Sequence, residues 1–287
     1  MNIDTLVRNN VKKMSSYSSA RDDFKKENEM KLIYLDANES PFDNGINRYP
    51  DNKHDELKKV VSGIKNVNVN QVVFGNGTDE ILDLIVRVFC NPSEDKIITL
   101  PPTYGMYDVI AKTNGVENIE IPLKSDFSID KNEILKLSSK KTKILFLCSP
   151  NNPTGNSFDT NNLTDLIKSF KGIVVVDEAY IDFSSKQSLI SLIEDNNNLI
   201  ITQTMSKAYG MAGIRLGMGF SNEKIINYLN KIKPPYNINV LTERKALEEL
   251  YKIDEIEKNI SIVLDQKNLL VSCLEKLDFV EKIYKSD

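Results

Sequence analysis

From Val72 onward the chain alternates short apolar runs with longer amphipathic stretches, a rhythm that few folds satisfy. Residues 71–74, 96–99, 119–121, 144–148, 173–176 and 199–202 are rich in β-branched and aliphatic side chains and show little polar alternation. That is the pattern of parallel strands buried on both faces. Between them, residues 81–89, 107–113 and 163–170 carry apolar side chains at helical spacing. The alternation predicts an α/β chain: a mostly parallel central sheet with helices on both faces. Ligands of such sheets gather at the carboxyl ends of the strands, so the residues just after each run carry the chemical information.

Composition removes several function classes. Lys plus Arg number 37 against 41 Asp plus Glu, a net charge of −4 with no long block of one sign. Nucleic acid, which demands a clustered positive face, is not an expected partner. Residues 1–30 are polar, with both charge signs and no continuous apolar stretch, and read as neither a signal peptide nor a membrane span. Cys90, Cys148 and Cys273 are odd in number and sit in apolar surroundings, so they read as reduced core residues of a cytoplasmic protein. The single histidine, His54, lies in a charged stretch and reads as an ordinary solvated residue. A Ser/His/Asp triad or a many-ligand zinc site has little to build on, and no metal is expected.

The tail differs from the rest. Ile253, Ile256, Ile260, Val263, Leu264, Leu270, Leu274 and Leu277 recur at helical spacing and predict one long amphipathic helix. A strand-like piece follows at 279–284 with no downstream strand to pair with, so the chain reads as cut short. The expected organisation is an N-terminal arm with part of a small domain (1–44), a large domain (45–240), and a connecting helix with an incomplete small α/β domain (241–287).

Four segments fall at predicted strand ends. Gly75-Asn76-Gly77-Thr78-Asp79-Glu80 runs straight into a helical pattern, which suits a phosphate seated on free backbone N–H groups, or simple helix capping with Thr78 as N-cap. Ser149-Pro150-Asn151-Asn152-Pro153-Thr154-Gly155 is a stiff loop that can aim an asparagine amide, or an ordinary turn. Asp177-Glu178-Ala179-Tyr180 places an acid at the end of an apolar strand, where it needs a cationic partner. Thr204-Met205-Ser206-Lys207 follows the run from Leu199, with Arg215 eight residues past Lys207. Lys207 reads either as a surface lysine of a glycine-rich loop or as an amine that condenses with an aldehyde. Taken jointly, a phosphate cradle, an amide, an acid, a phenol, a lysine and an arginine make the set that pyridoxal phosphate requires.

With these segments, and with Leu35-Asp36-Ala37-Asn38-Glu39-Ser40-Pro41, Arg48-Tyr49-Pro50-Asp51, Pro101-Pro102-Thr103-Tyr104-Gly105-Met106-Tyr107 and the arm Tyr17-Ser18-Ser19-Ala20-Arg21, the chain resembles the fold-type-I pyridoxal-phosphate aminotransferases. Within them it is most similar to the histidinol-phosphate aminotransferases. The resemblance implies covalent attachment of the cofactor at Lys207, pairing of Asp177 with the ring nitrogen, Asn152 and Tyr180 at the phenolate oxygen, and Tyr104 stacked on the ring. It implies a phosphate among Gly77, Thr78, Asp79, Thr204, Ser206 and Arg215, with Asp79 contributing backbone rather than side chain, and Tyr49 reaching in from the other subunit of a homodimer. It further implies catalytic roles for Lys207, Asp177 and Tyr180, a small-molecule amino donor and a phosphorylated keto substrate. Ser40 departs from the family's usual asparagine, and the family continues past residue 287 with arginines that hold the substrate's phosphate. Rival expectations are an aromatic aminotransferase, a phosphothreonine decarboxylase, or a protein that binds the cofactor without turnover.

Overall fold

A single seven-stranded sheet organises the computed structural model, which describes residues 1–17 and 33–287. Its strands are β1 (Val72–Asn76), β2 (Lys96–Thr99), β3 (Glu117–Glu120), β4 (Thr142–Cys148), β5 (Ile173–Asp177), β6 (Leu199–Thr204) and β7 (Leu216–Ser221), in the order β1-β7-β6-β5-β4-β2-β3. Strands β2 to β6 are parallel, and β7 is antiparallel to both β1 and β6. The helices are α1 (Asn9–Lys13), α2 (Asp55–Lys65), α3 (Gly77–Phe89), α4 (Met106–Thr113), α5 (Lys131–Leu137), α6 (Thr160–Ser169), α7 (Glu223–Ile232), α8 (Val240–Leu250) and α9 (Ile253–Leu274). Of the arm motif, residues 18–21 lie outside the described residues.

Every residue of β5 and β6 is buried, which is why these runs lack polar alternation. Side chains divide between the layers by parity. Val174 and Val176 join Leu145, Leu147 and the α6 residues Leu163 and Leu166 on one face. Ile173 and Val175 join Ile144, Phe146 and the α3 residues Ile81 and Ile85 on the other. Each such side chain contributes about 1.5–3 kcal/mol on burial, so a one-residue slip of any central strand would be heavily penalised.

Strand β7 is not among the strands expected from sequence, because Gly217 and Gly219 dilute its β signature. Gly217 is required by close approach: a Cβ there would lie 2.3 Å from the backbone nitrogen of Thr78 and 2.4 Å from the carbonyl carbon of Gly77. Its absence lets the start of α3 settle directly on the sheet. Strand β3 begins two residues earlier than expected and is partly exposed, as an edge strand is.

Four other expectations are corrected. His54 is buried: it precedes α2 with a left-handed φ of 53° and places Nδ1 3.2 Å from Glu243 Oε2, because α8 packs over the start of α2. Cys90 and Cys148 are core residues, but Cys273 is exposed near the end of α9. Residue Asn76, not Thr78, is the N-cap of α3, and Glu80 Oε2 accepts from its backbone N–H at 2.6 Å. Residues 279–284 form no strand, since neither edge of the sheet pairs with them. Instead Tyr284 packs on Phe127 at 4.9 Å, and the Asp287 backbone N–H donates to the Gly155 carbonyl at 2.8 Å. Helix α9 ends at Leu274 with only Ile256 fully buried, while Ile262, Val263, Leu269 and Leu270 face solvent. Among the described residues no helix is long and apolar enough to cross a membrane.

Candidate active site

The carboxyl ends of β4 and β5 lie level, Cys148 pairing with Asp177, and β6 passes Asp177 at Thr202 to end two residues further on at Thr204. Just beyond these ends, against the start of α3, one cleft opens. Gly77, Thr78, Asp79, Tyr104, Asn152, Asp177, Tyr180, Thr204, Ser206, Lys207 and Arg215 all line it, together with Cys148 and Ala179. Tyr49 does not. It is half exposed and stacks on Tyr236 with ring centroids 4.7 Å apart.

Asp177 is the buried acid of this cleft. Its Oδ2 accepts from the Tyr107 hydroxyl at 2.8 Å and its Oδ1 from Thr202 Oγ1 at 3.0 Å. Both donors are neutral. Burial pushes the Asp177 carboxyl above the usual carboxylate range, while Tyr107, Thr202 and the Ala179 backbone N–H pull the other way. A carboxylate in this state gains most from a cationic N–H donor placed in the cleft. Tyr107 is itself locked, stacked on Phe146 at 4.8 Å with the rings 5° from parallel.

At the other end of the cleft Arg215 adopts a left-handed φ of 55°, a conformation that costs a non-glycine residue about 1 kcal/mol or more. Its carbonyl accepts from the Gly77 backbone N–H at 2.8 Å, tying β7 to the first residue of α3. Gly77 has φ +73°, and a Cβ on it would meet Arg215 Nη2 at 2.7 Å. The guanidinium therefore sits over a helix N-terminus, where the backbone dipole disfavours positive charge. Asp79 offers only a long ion pair, 3.8 Å from Nη2, and also accepts from the Tyr104 hydroxyl at 3.0 Å. A cation and a helix N-terminus converging on one space suit a multiply charged anion. Burial, then Asp79, push the Tyr104 hydroxyl up to about 12, so it stays protonated as a donor.

Between these poles stand the amine and the amide. Lys207 is exposed, three residues beyond β6, with Nζ 5.5 Å from the ring centroid of Tyr180. Asn152 is aimed by its neighbour: buried Asn151 donates to the Pro102 carbonyl at 2.9 Å and to Thr154 Oγ1 at 2.7 Å, and accepts from Thr103 Oγ1 at 2.9 Å. The loop is held by that side chain while Asn152 lines the cleft.

Sequence reasoning missed the support behind Asp177. Thr202 could have been found as the one polar residue facing Asp177 in the register of two apolar strands. Tyr107 opens no such signal, since a phenol at a helix start reads as ordinary core. The residues present fit the aldehyde phosphate cofactor implied by the resemblance: an anion pocket at Gly77 and Arg215, a buried acid wanting a cationic partner, and an accessible amine on one wall.

The family model for class I and II aminotransferases matches residues 23–286. A histidinol-phosphate aminotransferase of Flavobacterium johnsoniae is 51% identical over 285 residues, which is 99% of this chain and 82% of that relative. The solved histidinol-phosphate aminotransferase of Clostridium acetobutylicum gives a TM-score of 0.76 at 25% identity, covering 84% of this chain and 72% of that one. The Sinorhizobium meliloti enzyme, solved in complex with pyridoxal-5'-phosphate, shares the fold with a TM-score of 0.69 at 22% identity, over 74% of this chain and 59% of that one. Since the family match runs over nearly the whole length and the parallel strand ends carry the cleft just described, the chain belongs to the class I and II aminotransferase family.

Proposed function

We propose that this protein transfers an amino group between histidinol phosphate and 2-oxoglutarate, giving imidazole-acetol phosphate and glutamate, in histidine biosynthesis. The observation that carries the reading is the cleft with two poles: Arg215 over the start of α3 at one, Asp177 on its two neutral donors at the other. Relatives named for this activity, at about half identity over the chain, support the substrate.

Enzymes of this family are pyridoxal-phosphate dependent, and that group supplies an aldehyde for amine exchange and a ring that accepts electrons. In our reading the backbone of Gly77, Thr78 and Asp79 with Thr204, Ser206 and Arg215 holds its phosphate. Asp177 would hold the proton on its ring nitrogen, Asn152 and Tyr180 would donate to its phenolate oxygen, and Tyr104 would cover its ring. Lys207 Nζ anchors the aldehyde. With an amino donor bound in its place, Lys207 Nζ would take the proton from the donor's amine-bearing carbon and deliver it to the former aldehyde carbon, the shift that moves the amino group. The Asn151 network fixes Asn152 in advance, so little ordering is left to be done on binding.

The test has two parts. Borohydride reduction of the cofactor-loaded protein followed by peptide mapping should label Lys207, and label elsewhere would sink the assignment. A survey with histidinol phosphate, aromatic amino acids and phosphothreonine should give turnover with 2-oxoglutarate fastest for histidinol phosphate. We further propose a two-fold homodimer in which Tyr49 serves the neighbouring cleft, a reading supported by its half-exposed place outside its own.

A further inference from the structure

A second concavity, sharing no lining residue with the cleft, lies between the start of α2, helix α7 and residues 16–17. Its walls carry four lysines, Lys53, Lys58, Lys59 and Lys233, against one acid, Asp55. In a chain with net charge −4 that is a strong local reversal. Lys58 and Lys233 are half-buried, and among the described residues neither forms an ion pair; Lys233 Nζ donates to Asn237 Oδ1 at 2.8 Å. The nearby carboxylates are engaged elsewhere. Asp51 accepts from the backbone N–H groups of Lys53 at 3.0 Å and Asp55 at 2.9 Å, capping α2. Glu80 accepts from the Asn76 backbone N–H at 2.6 Å and from Asn237 Nδ2 at 2.9 Å. Asp55 is exposed.

Burial holds the Lys58 amine below the ordinary lysine value, and burial together with the Lys58 charge brings Lys233 down to about 8. Two cations drawn out of water beside one another, with Asp51, Asp55 and Glu80 only partly offsetting the cost, are unfavourable on both counts. An anion with more than one charge removes both penalties. The wall holds no arginine, the residue suited to flat, bidentate carboxylates, and lysines with flexible amide side chains accommodate a tetrahedral oxyanion instead.

We propose that this concavity binds a phosphate dianion, free or as the terminal group of a small ester, on Lys58 and Lys233, with Lys53 at its edge and the amides of Asn227 and Asn230 completing the donor set. The main cleft must be filled first, so the experiment uses cofactor-loaded protein. Acetic anhydride at pH 8, read by peptide mass spectrometry, reports on the neutral amine of Lys233. An anion on it favours the charged form and shields it. At constant ionic strength, inorganic phosphate or glycerol 3-phosphate several-fold above its Kd should slow Lys233 acetylation at least about fivefold, leaving exposed Lys168 unchanged. Protection by both means that the terminal phosphate is recognised, and protection by inorganic phosphate alone means that the site takes only the free ion. Protection by neither, or equal protection by chloride, overturns the proposal. The variant K58M/K233M should keep the bound-cofactor spectrum and lose the calorimetric phosphate signal, and a retained signal would equally overturn it. If that variant fails to fold, the acetylation result on the parent decides.

Discussion

At the scale of single residues, the chemistry turns on how much negative charge Asp177 can keep when buried. Tyr107, Thr202 and the Ala179 backbone N–H only partly offset desolvation, and in our functional reading a cationic ring nitrogen would complete the compensation. Asp177→Asn should therefore leave cofactor bound but slow the transamination half-reaction by at least about 10²-fold, measured by rapid mixing with a single substrate. A variant as fast as the parent would show that Asp177 does not face the ring. Tyr107→Phe tests the support instead. Losing the donor to Oδ2 removes stabilisation of the charged form, so Asp177 binds its proton more tightly and the acidic limb of the kcat profile moves to higher pH. We expect kcat at neutral pH to fall about tenfold, with KM nearly unchanged. A profile unmoved by the change would mean that Thr202 and the Ala179 backbone N–H set the state of Asp177 without Tyr107.

Among elements, β7 decides whether an anion pocket exists, because Gly217 lets α3 start flush against the sheet and Arg215 close over it. Gly217→Ala should cost about 1–3 kcal/mol in denaturant unfolding and weaken cofactor binding, since backbone at 2.3 Å must move. Gly213→Ala, with nothing within 4 Å, should stay within about 0.5 kcal/mol of the parent and keep its affinity. Equal losses in both variants would assign the effect to loop flexibility. The same strand marks what could be read from sequence. Central strands such as Ile173–Asp177 announce themselves by unbroken burial, whereas Leu216–Ser221 hides because its glycines serve a neighbour rather than a core. The segment at 279–284 fails for the opposite reason: its residues favour a strand, but no edge comes within reach. His54 shows that a polar setting in sequence says nothing of burial when a distant helix, here α8, packs on it. Most residues that line the cleft follow strand ends and were legible, while Tyr107 and Thr202, which hydrogen-bond to Asp177, needed the register and the packing.

For the whole molecule, residues 33–49 present an uncovered apolar segment, where Leu35 is 86% exposed, Phe42 81% and Tyr49 51%. So many large apolar side chains along one short segment mark a contact surface rather than a solvated one. A second copy of the chain is the occupant that our functional reading calls for, and symmetric pairs are the commonest assemblies. Sedimentation should accordingly give a dimer. Mixed dimers test the sharper claim that Tyr49 acts across the interface. Lys207→Ala alone should be inactive, and Tyr49→Ala should bind cofactor more weakly. If Tyr49 serves the neighbouring cleft, a heterodimer of the two variants contains one site with both native residues, the lysine from one chain and the tyrosine from the other. Refolding the variants together should then yield activity approaching a quarter of the parent's, since about half the dimers are mixed and each has one intact site of two. If Tyr49 served its own cleft, no intact site could form, and the mixture would be no more active than the average of its parents.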